Sequence, residues 1–238
     1  MKVWMRLHKW IGVVIGLQVL LWIAGGLYMS AMPLTWVHGK PLLNETAMPE
    51  PPEQLLMRSL QTPNNVEWNL SEYRVTRWLH GPQGWLLVAT GFDNTTQFWR
   101  IERNGKRLAE PLSDTLLQQE AMARYAGDAG ISSIEHLPIP PAEASGIEHA
   151  VVAINFDDWI NTTFYFHPIS AEILKVRSDI WRLFDVFWML HIMDYDERSD
   201  FNNPLLILSA TVALFFTITG MALVLYWLRR EVRRKRPA

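Results

Sequence analysis

Two long blocks of this 238-residue sequence carry no charged residue: Trp10 to Val37, and Asn202 to Leu228. A helix needs about 20 apolar residues to cross the hydrocarbon core of a bilayer, and each block supplies them. Two transmembrane helices are expected, over residues 10–31 and 204–228. A cleaved signal peptide is the rival reading of the first block. Its apolar stretch exceeds the roughly 7–15 residues of such a segment and runs on into Tyr28 and Trp36, so an uncleaved anchor is expected.

Charge sets the orientation. Lys2, Arg6 and Lys9 precede the first block, and Arg229, Arg230, Arg233, Arg234, Lys235 and Arg236 follow the second. These are 9 of the 22 basic residues, against one acid, Glu231, which leaves 13 basic and 23 acidic residues between the ends. Basic flanks stay cytoplasmic. Both termini are therefore expected inside, with the acidic middle outside. A bacterial inner-membrane protein with a periplasmic domain fits this layout. The basic tail reads as a topology signal touching anionic lipid, not as a nucleic-acid interface.

The chain has no cysteine. That excludes a disulfide framework, a thiolate metal site and a Cys-x-x-Cys-His haem attachment, so any haem would be b-type. There is also no nucleophile elbow, no zinc motif and no flavin or nicotinamide fingerprint, which removes the usual hydrolase and dehydrogenase readings.

Between the helices, residues 32–65 are proline-rich and read as a linker with one short helix near Glu53–Leu60. Residues 66–177 read as an antiparallel α+β domain. "YRVTRWL" and "WLLVATG" make a hairpin across "HGPQG", and "TQFWRIERNGKRL" makes another around Asn104-Gly105. Ser113 and Asp114 can cap a helix ending near Gly127. Strands follow in "SSIEHLPI", "HAVVAINF" and "NTTFYFHPISAEILKVRS". "FWRIERNGKRL" at 98–108 aligns without gaps with "FYFHPISAEIL" at 164–174, which points to a repeated unit of about 66 residues. Residues 178–203 read as an interfacial amphipathic helix and turn, and residues 229–238 as a cytoplasmic tail.

Several of these segments carry a family likeness: "RLHKWIGVVIGL" at 6–17, "WIAGGLYMS" at 22–30, "FYFHPISAEIL", and "FWMLHIMDY…LFFTITGMALVLYWLRR" at 187–230. The chain resembles the PepSY-associated transmembrane proteins. In these a Leu-His pair leads into a glycine-containing helix, and a second Leu-His precedes a helix ending in Thr-Gly and an arginine pair. Larger members resemble haem-b siderophore-iron reductases and have four or more helices, where this chain has two. The resemblance implies a PepSY-like, duplicated periplasmic domain and haem b held by histidines. It also implies electron transfer across or out of the membrane toward ferric iron, by a haem-dependent oxidoreductase or a subunit of one.

Haem iron takes axial imidazole nitrogens in an apolar, aromatic pocket. His8 opens the first helix, with Gly12, Gly16, Val19, Ile23 and Gly26 stepping up one face. The two glycines leave room either for a flat macrocycle or for a packed helix. His191 shares a helical face with Ile180, Phe184 and Phe187, behind Ser178 and Asp179 as caps. Either a ligand sits on that imidazole, or Asp185 or Asp194 accepts its proton. Calcium at "DYDERSD" is disfavoured by the missing loop glycine, and a turn tied by Arg198 is expected instead. His80, His136, His149 and His167 read as solvated or locally bonded. His8 and His191 should stand at opposite interfaces, about 30 Å apart. Two ligands of one iron need nitrogens about 4 Å apart. His38 is then the candidate partner for His191. The alternative is a homodimer pairing each histidine with its copy, using the small-residue face Ala210, Ala213, Thr217 and Gly220. The rival function is a non-enzymatic, membrane-anchored binding, assembly or regulatory module that works with a partner membrane protein.

Overall fold

The structure, a computed structural model, describes residues 2–44, 50, 73–102, 105–196 and 198–234. The helix expected near Glu53–Leu60 and the Asn104 corner of the second hairpin lie outside these residues. The chain divides into a helical unit, residues 1–33 and 183–238, and a β-rich unit, residues 34–182.

The β-rich unit contains two four-stranded antiparallel meanders. The first runs β1 (Tyr73–Gly81), β2 (Gly84–Gly91), β3 (Thr96–Glu102) and β4 (Gly105–Leu108). The second runs β5 (Ile131–Leu137), β6 (Val151–Phe156), β7 (Thr163–Phe166) and β8 (Ile173–Arg177). The two segments matched in sequence fall on the same part of each meander, its third and fourth strands. Chemistry closes the first hairpin: Gly81 pairs with Gly84 across Pro82-Gln83, and Gly84 holds φ +100°. Only a residue without Cβ adopts that angle cheaply.

Helix α3 (Asp114–Arg124) packs on the second sheet; α1 (Lys2–Ala31) and α2 (Leu34–Val37) precede it in the chain. Its Leu117 and Ala121 meet Val152, Ile154 and Phe156 of β6 and Phe164 and Phe166 of β7. These strand residues alternate, as a period of two requires. Val151, Ala153 and Tyr165 form a second apolar layer on the opposite face, so β7 is buried on both sides. Phe164 has no exposed surface, and truncation to alanine would cost about 3–5 kcal/mol. The helix stops at Arg124, three residues before Gly127. Tyr125 turns extended there to pair with Leu43 and to donate its hydroxyl to Asp158 at 2.7 Å. Ser113 caps through its carbonyl, accepting from Leu117 N–H at 3.1 Å, and its hydroxyl makes no cap bond.

The two sheets dock through the β7–β8 turn. Phe98 of β3 lies against His167 with ring centroids 4.4 Å apart. Arg77 of β1 pairs with Glu172 at 3.0 Å, and Leu112 N–H donates to the Pro168 carbonyl.

The helical unit holds α1, most of α4 (Asp179–Ile192) and α5 (Pro204–Arg234). Windows Trp10–Ala31 and Pro204–Glu231 are long and apolar enough to cross a membrane. The start of α5 is built by Asn203-Pro204. Asn203 Oδ1 accepts from Leu206 N–H at 2.9 Å, and its Nδ2 donates to the Ile192 and Asp200 carbonyls. Proline at the first helical position loses nothing, because that N–H would have no intrahelical partner. Ser178 does not cap α4 as expected: its carbonyl accepts from Arg182, but its hydroxyl is buried without a partner.

Candidate functional site

Helix α4 ends where Met193 takes the left-handed conformation, φ +54°. Its last two turns lie along the C-terminal third of α1. Phe187 packs against Tyr28, centroids 4.8 Å apart and planes tilted by 36°, and a methyl placed on Gly25 would meet Phe187 at 3.4 Å. One turn on, His191 faces Trp22 at 6.3 Å between ring centroids, with 50° between the planes. A methyl placed on Gly26 would lie 3.9 Å from His191 Cε1. The absence of side chains at Gly25 and Gly26 lets two aromatic rings approach the α1 backbone.

The polar atoms there are orphaned. His191 Nδ1 and Trp22 Nε1 are both sealed from solvent with no hydrogen-bond partner. Neither acidic residue considered for the imidazole serves that nitrogen. Asp185 is paired with Arg198. Asp194 accepts the backbone N–H groups of Ser199 and Asp200 at 2.9 Å, organising the turn into α5. Trp188 Nε1 donates to the Arg198 carbonyl at 3.1 Å and fixes the same turn. A buried polar atom without a partner carries a desolvation cost of about 1–3 kcal/mol.

The covered residues of α1 from Trp10 on are Gly12, Ile15, Gln18, Val19, Trp22, Gly25, Gly26, Tyr28 and Met29; those of α5 up to Gly220 are Leu206, Ser209, Ala213 and Phe216. This corrects the expected glycine face: a methyl on Gly12 would meet Phe216 at 3.2 Å, but Gly16 faces open space and Ile23 is exposed. Of the small-residue stripe on α5, Ala213 is covered, whereas Ala210, Thr217 and Gly220 are exposed. With Phe216 opposite Gly12 and the helices antiparallel, Pro204 falls about level with Ala24. α1 therefore outruns the start of α5 by about 10 Å, and α4 covers that extra length.

Of the three histidines expected to hold iron, His191 is the one at this contact. His8 lies on α1, its side chain outside the described residues. Between it and the Trp22–Gly26 level run 14 to 18 residues of helix, about 21–27 Å. His38 belongs to the β-rich unit, exposed on the turn after α2. Among the described residues no group of three His, Asp or Glu side chains could hold a metal ion. What the helical unit would offer a haem b here is one half-buried imidazole whose covered Nδ1 has no hydrogen-bond partner, with Trp22 and Gly26 as neighbours. These residues do not supply the second imidazole within the helical unit.

Of the two expectations for His167, solvated or locally bonded, the structure shows the second. It is buried, its Nδ1 accepts N–H bonds from Ile169 and Ser170, and the His149 ring packs edge-on at 4.7 Å. Burial first, then the His149 and Arg77 charges, push its pKa down to about 4. A second buried network was not anticipated. Glu143 accepts from Tyr165 at 2.5 Å and from Arg182 Nε at 2.8 Å, and Arg182 also reaches Thr163 and the Asn161 carbonyl. Burial alone would raise the Glu143 carboxyl, but the Arg182 and Tyr165 bonds hold it below the usual range. This network ties the start of α4 to the second sheet. Its residues are far apart in sequence, so no local pattern marks it.

No family model, no curated protein and no solved structure matches this chain.

Proposed function

We propose that the chain is a bacterial inner-membrane protein of the PepSY-associated type. In this reading both termini are cytoplasmic, the β-rich unit is a periplasmic PepSY-like domain, and the protein binds haem b and passes electrons across or out of the bilayer. The observation that carries the reading is the sealed, unpartnered Nδ1 of His191 beside Trp22 and Gly26. An imidazole lone pair held among aromatic rings is what a haem iron requires of a protein.

The stagger of the helices supports the depth of the site. Asp194, Asp196, Arg198 and Asp200 immediately precede α5, so the outer boundary of the hydrocarbon layer lies near Pro204. About 20 residues further, Tyr226, Trp227 and Arg229 form an aromatic and basic belt at the opposite boundary. His191 then stands at the outer interface, where α4 shields the protruding end of α1.

The chain's own residues have distinct tasks. His191 would offer the Nδ1 lone pair; Trp22, Phe187 and Tyr28 would exclude water from it; Gly26 lets the ring lie against the α1 backbone. Bound haem supplies a one-electron iron couple whose potential follows its axial ligand and apolar surroundings. The missing second imidazole comes from His191 of a second copy. The exposed Gly16, Ala210, Thr217 and Gly220 allow such helices to approach closely.

The test is to purify the full chain from haem-replete cells and record spectra of its monomeric and dimeric fractions. A b-type Soret band travelling with the dimer is expected. Haem-free protein in both fractions contradicts the proposal and leaves the anchored, non-enzymatic module as the surviving reading.

A further inference from the structure

The four sheet edges of the β-rich unit are not defended alike. A bare edge strand invites pairing, and proteins protect such edges with lysine, other inward charges, proline or bulges. β1 carries Arg74 and Arg77, β4 carries Lys106 and Arg107, and β8 carries Lys175 and Arg177. β5, "ISSIEHL", contains no lysine, arginine or proline; its one carboxylate, Glu135, is bonded to Ser133 and Asn155, and an irregularity lies between Ile131 and Ser133. It is the outer strand of its sheet, bonded to β6 on one side.

Beside this edge runs an open cleft of about 950 Å³. One wall is Ile131 to Ile134 of β5, and the other is the outward face of α3, with Thr115, Gln118, Gln119 and Met122. The bond from His136 Nε2 to Asp114 Oδ1, 2.7 Å, closes one end. Along the strand wall the cleft extends about 10 Å, and along the helix about 12 Å. Both lengths suit three or four residues of extended chain. The walls are hydroxyls and amides that donate and accept, with an apolar residue at intervals, and Asp114 is the one charged residue lining them.

We propose that this cleft takes an extended segment of another polypeptide, added as a fifth strand to β5, with basic side chains directed toward Asp114. Main-chain hydrogen bonds to the edge, which no other described strand pairs, give affinity, and the helix wall reads alternate side chains. The sign of the partner's charge follows from Asp114 and from an inter-helix region with 23 acidic and 13 basic residues. Neither haem nor His191 enters this argument, so the two proposals stand or fall separately.

The probe is a fluorescein-labelled nonapeptide of alternating threonine and lysine, titrated by anisotropy against the full chain in nanodiscs. It should bind, and N-methylation of alternate backbone nitrogens should weaken it about tenfold or more. Gln118→Trp, which fills the cleft from an exposed helix position, should do the same with an unchanged melting temperature. Gln119→Trp serves as the second variant should Gln118→Trp alter folding. Absence of binding overturns the proposal. So does equal binding of the glutamate-for-lysine peptide, an N-methylated peptide within twofold of its parent, or indifference to the tryptophan that folds.

Discussion

The His191 imidazole and the Trp22 indole face each other at 6.3 Å, and each keeps one nitrogen buried and unbonded. Each such buried, unbonded atom carries a desolvation cost. The close approach of the imidazole to Gly26 gives this pair its direct test. Gly26→Ala adds a methyl in ordinary contact range, 3.9 Å from Cε1, and should leave haem content unchanged. Gly26→Leu would press its side chain on the imidazole and should lower haem per chain severalfold, measured by absorbance against protein mass. Equal haem content in both variants would separate the glycine from the site.

Topology has its own check, made simple by the absence of native cysteine. Trp159 is 87% exposed on the β6–β7 loop. Trp159→Cys should react with a membrane-impermeant maleimide in intact spheroplasts, and Ala238→Cys only after permeabilisation. The reverse pattern would invert the orientation.

Acid should loosen the docking of the two sheets. His167 has a folded-state pKa of about 4 against an ordinary 6.5, because burial and the His149 and Arg77 charges disfavour its imidazolium. The unfolded chain therefore takes up this proton first. The contribution of neutral His167 is complete above pH 6.5 and is lost as the pH falls toward 4, up to about 3 kcal/mol. Melting temperature of the β-rich unit against pH should slope downward in that window, and His167→Gln should flatten the slope.

Gly39→Ala should destabilise the same unit by about 2–4 kcal/mol. Gly39 holds φ +70°, and a methyl there would lie 2.8 Å from Val176 Cβ. Thermal unfolding should show the loss, with Gly130→Ala, which meets open space, as the near-neutral comparison.

Much of this was legible in sequence where a local rule decides the outcome. Charge-free length marked α1 and α5, and alternation marked the strands. Asn203-Pro204 marked a helix start, and the spacing of Phe187 and His191 put both on the face that meets α1. Other features depended on distant partners. The burial of His167 requires Phe98, 69 positions earlier. The network of Glu143, Tyr165 and Arg182 joins three separate elements. On α1, apolar residues surround the helix, so no stripe distinguishes the covered Gly12 from the open Gly16. Helix α3 stops before Gly127 because Tyr125 gains a bond to Asp158 that no propensity rule anticipates.

The central claim is that the nitrogen of His191 is a ligand in waiting, and the reduced-minus-oxidised visible spectrum of the purified chain tests it most directly when wild type and His191→Ala are compared side by side. The account predicts a b-type Soret and α band in the wild type and loss of that band in the variant, with both helices still inserted by maleimide labelling. A wild type without a Soret band, or a variant that keeps it undiminished, contradicts it.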